Sequence, residues 1–155
     1  MGLIALLSCG PKDGLEALPE HSAVVAFEMN VGETGRPSCL WALEPDGDRC
    51  STTGDPVELT KSQAAMVDTL VSTPESWGEP ASKCFVPWHG FVFYAEDGTV
   101  TQQVSVSLIC EGVRADPELA AMPRRETQQG LSPGARILWL QLCEELGMGR
   151  CQLEP

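Results

Sequence analysis

The chain has 155 residues, which is the size of one domain, and its 43% hydrophobic content is typical of a globular protein and too high for a wholly disordered one. Its 22 acidic residues outnumber its 10 basic ones, and the net charge of −12 predicts a surface that repels phosphate backbones, so no nucleic-acid partner is expected. No stretch approaches the roughly 18 apolar residues of a transmembrane helix.

The chain begins with MGLIALLSCG, in which a short apolar run leads to Cys9. LLSC resembles the lipobox of bacterial lipoproteins, whose cysteine is lipidated and becomes the mature N-terminus. We therefore expect residues 1–8 to be the remnant of a signal peptide, with a start codon further upstream or a trimmed leader. Cys9 would be a lipid anchor to a membrane and residues 9–21 a tether. The alternative is a short buried N-terminal strand that carries an incidental cysteine.

Residues 22–155 are predicted to form a single domain, and its first elements are strands. SAVVAFEM at 22–29 is apolar nearly throughout, which favours a central strand. CLWAL at 39–43 is predicted as a second short strand, followed by a turn-rich connection over 44–56. Four acidic residues of this region, Glu44, Asp46, Asp48 and Asp55, could collect calcium, but their spacing does not match an EF-hand loop. A solvated, turn-forming loop is the favoured interpretation.

The middle of the chain predicts a helix and then a β-hairpin. Thr60 and Gln63 form a capping-box pattern for a helix over 61–72. FVFYAE and TVTQQVSVSLIC are predicted as strands joined by a two-residue turn at Asp97-Gly98. Counting outward from that turn places Cys84 opposite Glu111, so that one β-bulge would align Cys84 with Cys110.

The C-terminal third predicts a proline-broken crossing and a last helix. Residues 111–130 are polar and show little pattern of regular structure. Ser132 as N-cap, Pro133 at the first helical position and Gly147 past the end delimit a helix over 133–146.

The chain has seven cysteines, more than an intracellular protein usually carries without a metal, and no CxxC pair. If Cys9 is lipidated, six remain for three bridges. Because each consecutive pair brackets one local unit, neighbour pairing is favoured among the fifteen formal arrangements. The predicted bridges are Cys39–Cys50, Cys84–Cys110 and Cys143–Cys151. They indicate export to an oxidising compartment, either the periplasm or the cell surface.

Cys84, His89 and Cys110 allow two chemical interpretations besides a bridge. A zinc site needs four ligands, usually from closely spaced pairs, and here only a cysteine–x4–histidine spacing and a distant cysteine are available. A Cys84–His89 nucleophilic dyad needs a free thiolate, which oxidation would oppose in an exported protein. A hairpin closed by a Cys84–Cys110 bridge is therefore favoured, with Trp88 and His89 as the candidate functional surface.

The segments CFVPWHGFVFYAEDG, VSVSLIC and GLSPGARILWLQLCEELGMGRC resemble a family of small uncharacterised bacterial lipoproteins over about residues 60–151. The family's motif reads Cys-aromatic-x-Pro-x-His-Gly-x-x-Phe-Tyr, followed by a hairpin and a cysteine-bearing C-terminal helix. The matching positions are Cys84, Pro87, His89, Gly90, Phe93, Tyr94, Cys110, Cys143 and Cys151. This chain departs from the pattern at Trp88 and Ser107, where relatives often have a histidine and a cysteine. The resemblance implies export and lipidation and offers no established activity.

These observations predict an α+β fold, in which a small antiparallel sheet with a central β-hairpin packs against two helices and is stapled by disulfides. The functional hypothesis is an exported, lipid-anchored cell-envelope protein that binds an envelope partner without catalysis or a cofactor. The alternative is a metal-binding or thiol-redox protein that uses Cys84, His89 and Cys110. No residue constellation supports a third hypothesis, a small hydrolase or an enzyme inhibitor.

Overall fold

The computed structural model describes residues 18–32, 39–79, 84–123 and 129–152, and it has the predicted α+β fold. The strands are β1 (Ala23–Met29), β2 (Thr52–Glu58), β3 (His89–Tyr94), β4 (Val100–Ser107), β5 (Gly112–Asp116) and β6 (Gln129–Gly130). The helices are α1 (Lys61–Ser72) and α2 (Pro133–Glu145), with a short 3-10 turn at Pro74–Ser76. All neighbouring strands pair antiparallel in one sheet of order β2-β1-β3-β4-β5-β6.

The predicted hairpin forms the centre of this sheet as β3 and β4. Its turn is one residue longer than predicted, because the Ala95 N–H donates to the carbonyl of Thr99 at 2.8 Å and leaves three residues in the loop. Gly98 supplies the left-handed residue of that loop with φ of 82°. A β-bulge between Phe93 and Tyr94 offsets the longer loop, so His89 pairs with Val106 in the register counted from a two-residue turn. This bulge therefore does not shift Cys84 opposite Cys110, as the predicted one would have done.

Both helices pack on one face of the sheet and bury the main core. Thr60 and Gln63 make the predicted capping box at the start of α1, and the Ser132 hydroxyl accepts from the Ala135 N–H to cap α2. The sheet contributes Val24, Ala26, Phe91, Phe93, Val104 and Val106, and the helices contribute Val67, Leu70, Val71, Trp139 and Leu142. The rings of Phe91 and Trp139 meet with centroids 4.9 Å apart, which couples the hairpin to α2.

The opposite face is covered by the loop over 39–50. The strand predicted at 39–43 is wrong, since only an isolated bridge between Leu43 and Arg49 forms there. The loop instead rests on β4, where the Gln103 side chain accepts from the Leu43 N–H at 3.1 Å and donates to the Leu43 carbonyl at 3.2 Å. Gly90 permits this approach, because a Cβ there would lie 3.1 Å from the Cβ of Ala42.

Besides the two-residue β6, two longer strands occupy segments that were predicted to be irregular. β2 carries Gly54 and Pro56, which indicate a turn in sequence, but β2 is an edge strand and proline is tolerated there. β5 forms because Glu111 adopts a left-handed φ of 54° and turns the chain back onto β4. Neither β2 nor β5 alternates apolar and polar residues over enough positions to predict a strand. Their structure is decided by pairing, β2 with β1 and β5 with β4.

The three predicted bridges are confirmed. Cys39–Cys50, Cys84–Cys110 and Cys143–Cys151 have Cα–Cα separations of 6.2, 5.7 and 5.5 Å, within the range of natural disulfides. They fit an oxidising, extracytoplasmic compartment. The predicted anchor Cys9 lies outside the described residues. Among the described residues, none of the helices combines the length and the apolar character that a bilayer crossing requires.

Residues 18–21, at the end of the predicted tether, already pack against the domain. Leu18 contacts the main core. The His21 ring stands edge-on to Phe93 with centroids 5.0 Å apart, and its Nε2 lies 3.1 Å from a carboxylate oxygen of Asp68 in α1.

Candidate functional site

A cleft of about 810 Å³ opens at the end of the sheet where β3 begins and β4 ends. We call it the Trp88 cleft, and its wall includes Trp88, Ile109, Glu144, Met148, Arg150 and Gln152. Trp88 precedes β3, yet its backbone continues the pairing, because its N–H donates to Val106 and its carbonyl accepts from Met29. The rigid sheet therefore fixes one wall, and the end of α2 with the C-terminal tail forms the other.

The Trp88 cleft presents apolar surface to solvent beside one cation. Ile109 is 55% exposed at the tip of the turn between β4 and β5. The Arg150 guanidinium lies 5.6 Å from the centroid of the Trp88 ring, close enough for a cation–π contact. With Glu144 on the same wall, the cleft is locally neutral, whereas the whole chain carries a net charge of −12.

The tail that forms the second wall is clamped by a cross-strand pair. Glu28 of β1 and His89 of β3 are register partners on the helix face of the sheet. The Glu28 carboxylate accepts from the Gly149 N–H, and His89 Nε2 donates to the Gly149 carbonyl at 2.9 Å. Both backbone groups of one tail residue are thus bonded, which holds Met148 and Arg150 in the cleft wall.

His89 is 2% exposed and lies against the third bridge, with Nε2 3.2 Å from Cys143 Sγ. Because a carbonyl can only accept, the bond to Gly149 assigns the ring proton to Nε2. Burial is the main cause that lowers the His89 pKa, with a smaller contribution from Arg150, while the Gly149 bond and the Glu28 charge oppose the shift. The ring is therefore a neutral imidazole that donates from Nε2.

The structure separates the residues of the predicted metal or redox group. Cys84 and Cys110 are joined to each other, and His89 groups with Cys143 and Cys151 instead. In this arrangement His89 Nε2 donates to the Gly149 carbonyl, and the two neighbouring sulfurs are bonded to each other. Of the candidate functional surface, Trp88 borders the cleft and His89 is buried beneath it.

The predicted acidic loop is a tight exposed turn. The Asp46 carboxylate accepts from the Asp48 N–H at 3.1 Å, and the Glu44 N–H donates to the Asp48 carbonyl. Asp55 lies apart from them, in β2. Within the described residues, these carboxylates support the favoured interpretation of a turn-forming loop.

Sequence reasoning did not select Ile109, Met148, Arg150 or Glu28 as functional residues. Ile109 gave a signal, because it takes the place of a serine in the alternation of Ser105 and Ser107 with apolar residues. Met148 and Arg150 lie far from Trp88 in sequence and are held beside it because Glu28 and His89 bond the Gly149 backbone between them. Comparison of the chain with protein-family models, with curated proteins and with solved structures gives no match.

Proposed function

We propose that this protein is an exported lipoprotein of the bacterial cell envelope, anchored through lipidated Cys9, and that its folded domain binds a segment of another envelope protein. Three disulfide bridges in one small domain support its location in an oxidising compartment. The segment from Cys9 to Leu18 can span at most roughly 30 Å, which would hold the domain beside the membrane.

The observation that carries the binding proposal is the Trp88 cleft. Its volume of about 810 Å³ lies in the range of ligand sites, and it places Trp88 beside Arg150, two residue types that are enriched at binding hot spots. Ile109 is exposed beside them, so an apolar partner group would bury it. The cleft is held by the sheet and two bridges, which reduces the entropy lost on binding.

The chemistry of the wall indicates an occupant with an apolar side chain next to a carboxylate. The apolar group would stack on Trp88 against Ile109 and Met148, and the carboxylate would pair with Arg150. A locally neutral cleft repels such a segment less than a surface patch with the chain's net negative charge would. An extended polypeptide supplies both groups at suitable spacing.

Site-specific photo-crosslinking in the envelope of the source bacterium tests this proposal. A photoreactive residue would replace Ile109 in the cleft, or Ile137 as the matched control, which is 56% exposed on α2. We expect one discrete adduct from position 109, competition of that adduct by unlabelled protein, and its loss in Trp88→Ala. The Ile137 position should give no such adduct.

Equal labelling from positions 109 and 137, or an adduct that survives Trp88→Ala, would contradict the proposed cleft. If position 109 gives no adduct in the native envelope, the cleft has no protein partner there and the binding function is wrong.

A further inference from the structure

We propose that the Cys143–Cys151 bridge is a thiol–disulfide exchange centre, in which a thiolate entering the Trp88 cleft attacks Cys151 and His89 stabilises the departing Cys143 thiolate. This activity goes beyond the proposed binding function and uses a different bridge from the one that sequence analysis considered. Its substrate class is a polypeptide dithiol, and the product is the corresponding disulfide.

Access distinguishes the two sulfurs of this bridge. Cys151 lines the Trp88 cleft and is 7% exposed, whereas Cys143, in the last turns of α2, is 3% exposed and is not part of the cleft wall. A nucleophile must approach along the sulfur–sulfur axis, so one that enters by the cleft displaces Cys143. The attacked and the leaving sulfur are thereby fixed by position.

The leaving sulfur has a donor already in place. His89 Nε2 lies 3.2 Å from Cys143 Sγ and carries a proton, because it also donates to the Gly149 carbonyl. A thiolate at Cys143 would meet the negative end of the α2 dipole, which disfavours it. The single Nε2 proton, shared between the Gly149 carbonyl and Cys143 Sγ, offsets that cost without a ring flip or a change of tautomer. A sulfur that is better stabilised as a thiolate leaves faster.

The exchange balances in two steps. A substrate thiolate bonds to Cys151 Sγ, the Cys143–Cys151 bond breaks, and Cys143 leaves with the electron pair as a thiolate. The second thiolate of the substrate then attacks the substrate sulfur that is bonded to Cys151, and Cys151 leaves as a thiolate. The substrate dithiol is oxidised by two electrons and the bridge is reduced by two. A disulfide-bearing protein of the same compartment would reoxidise it.

Among the residues that the structure describes, a histidine lies beside the sulfurs of the Cys143–Cys151 bridge. His21, the other of the two histidines, pairs with Asp68 instead. Cys39–Cys50 and Cys84–Cys110 therefore serve as internal reference bridges in the same molecule.

The first test needs no variant at the site. The oxidised full chain, with Cys9→Ser to exclude the seventh thiol, is exposed to a small dithiol such as dithiothreitol, quenched by alkylation and mapped by peptide mass spectrometry. We expect Cys143–Cys151 to open about tenfold faster than either reference bridge while circular dichroism stays native. Equal or slower opening of Cys143–Cys151, or opening that keeps pace with loss of the native signal, would overturn the proposal.

Two matched serine variants then test the direction of attack. With glutathione disulfide as the probe, Cys151 in Cys143→Ser should form a mixed disulfide about tenfold faster than Cys143 in Cys151→Ser. The reverse order would contradict attack from the cleft.

The role of His89 is tested by the donor it provides. His89→Gln keeps an N–H donor and should retain most of the opening rate, whereas His89→Phe removes the donor and should slow the opening of Cys143–Cys151 about tenfold, with the reference bridges unchanged. If both variants open this bridge at the wild-type rate, His89 has no part in the exchange.

Discussion

Gln103→Met is the sharpest test of how the disulfide-closed loop is held on the sheet. Methionine has the length and shape of glutamine, but it has neither the amide donor nor the amide acceptor. The substitution removes both bonds between the Gln103 side chain and Leu43, at 3.1 and 3.2 Å, and leaves the backbone N–H and carbonyl of Leu43 without these partners.

The expected cost follows from those two bonds. A hydrogen bond contributes about 1 kcal/mol net, and a buried backbone group left unpaired costs about 1–3 kcal/mol. Leu43 is 6% exposed, but the loop can relax toward water, so the lower end of this range applies. We expect the free energy of unfolding to fall by about 2 kcal/mol. For a chain of this size that lowers the melting temperature by roughly 4–8 °C.

Urea unfolding under non-reducing conditions, followed by tryptophan fluorescence, measures the change. Trp41 lies in the loop and Trp139 in the main core, so the two regions can be compared if each tryptophan is replaced in turn. Gln141→Met is the matched control, because Gln141 is exposed on α2, and it should change stability by less than about 0.5 kcal/mol. If Gln103→Met behaves like Gln141→Met, the loop is not held on β4 by these bonds.

Two further predictions come from the structure, and a third comes from the sequence around Cys9. Burial lowers the pKa of His89 in the folded state, so below the unfolded value of about 6.5 the unfolded chain binds a proton that the folded chain does not. Stability should therefore fall as pH drops through that value, by at most about 1.4 kcal/mol per pH unit for this one proton. Urea midpoints at about pH 7.5 and 5.5 should show a steeper loss in wild type than in His89→Gln, and equal slopes would contradict the buried neutral imidazole. Gly90→Ala should cost at least about 1 kcal/mol, because the new Cβ meets Ala42 Cβ at 3.1 Å and Met29 Sδ at 3.2 Å. Gly134→Ala in α2, where nothing lies within 4 Å, is its control and should be neutral or stabilising, so an unchanged urea midpoint in Gly90→Ala would argue against the close approach of the loop. Cys9→Ser in the exported chain should move the protein from the membrane to the soluble fraction and abolish labelling by a radioactive fatty acid, whereas persistence in the membrane fraction would refute a lipid anchor at this position.

Much of the fold could be predicted because its signals are local. The capping box at Thr60, the cap at Ser132 and the turn at Gly98 are all set by residues within a few positions of each other. The cysteine pairs were predictable for the same reason, since each closes one local unit.

The parts that could not be predicted depend on tertiary contacts. The edge strand β2 contains a glycine and a proline and is ordered by its pairing with β1. The 39–43 segment has strand-like residues, but its backbone is bonded by the side chains of Gln103 and Ser105, which project from the face of the sheet opposite the helices. The position of His89 beside Cys143 requires α2 to pack over the start of β3, 54 residues away in sequence, which no local pattern indicates.

Disulfide mapping of the exported protein tests the account most directly. The native protein would be alkylated without reductant, digested and analysed by mass spectrometry, and then compared with a sample reduced before alkylation. The account predicts no alkylated thiol among the six bridge cysteines before reduction, and linked peptides for Cys39–Cys50, Cys84–Cys110 and Cys143–Cys151 alone. Free alkylation of Cys84 or Cys110 in the folded protein, or any crossed pair, would contradict it and would return Cys84 and Cys110 to the metal or redox hypothesis.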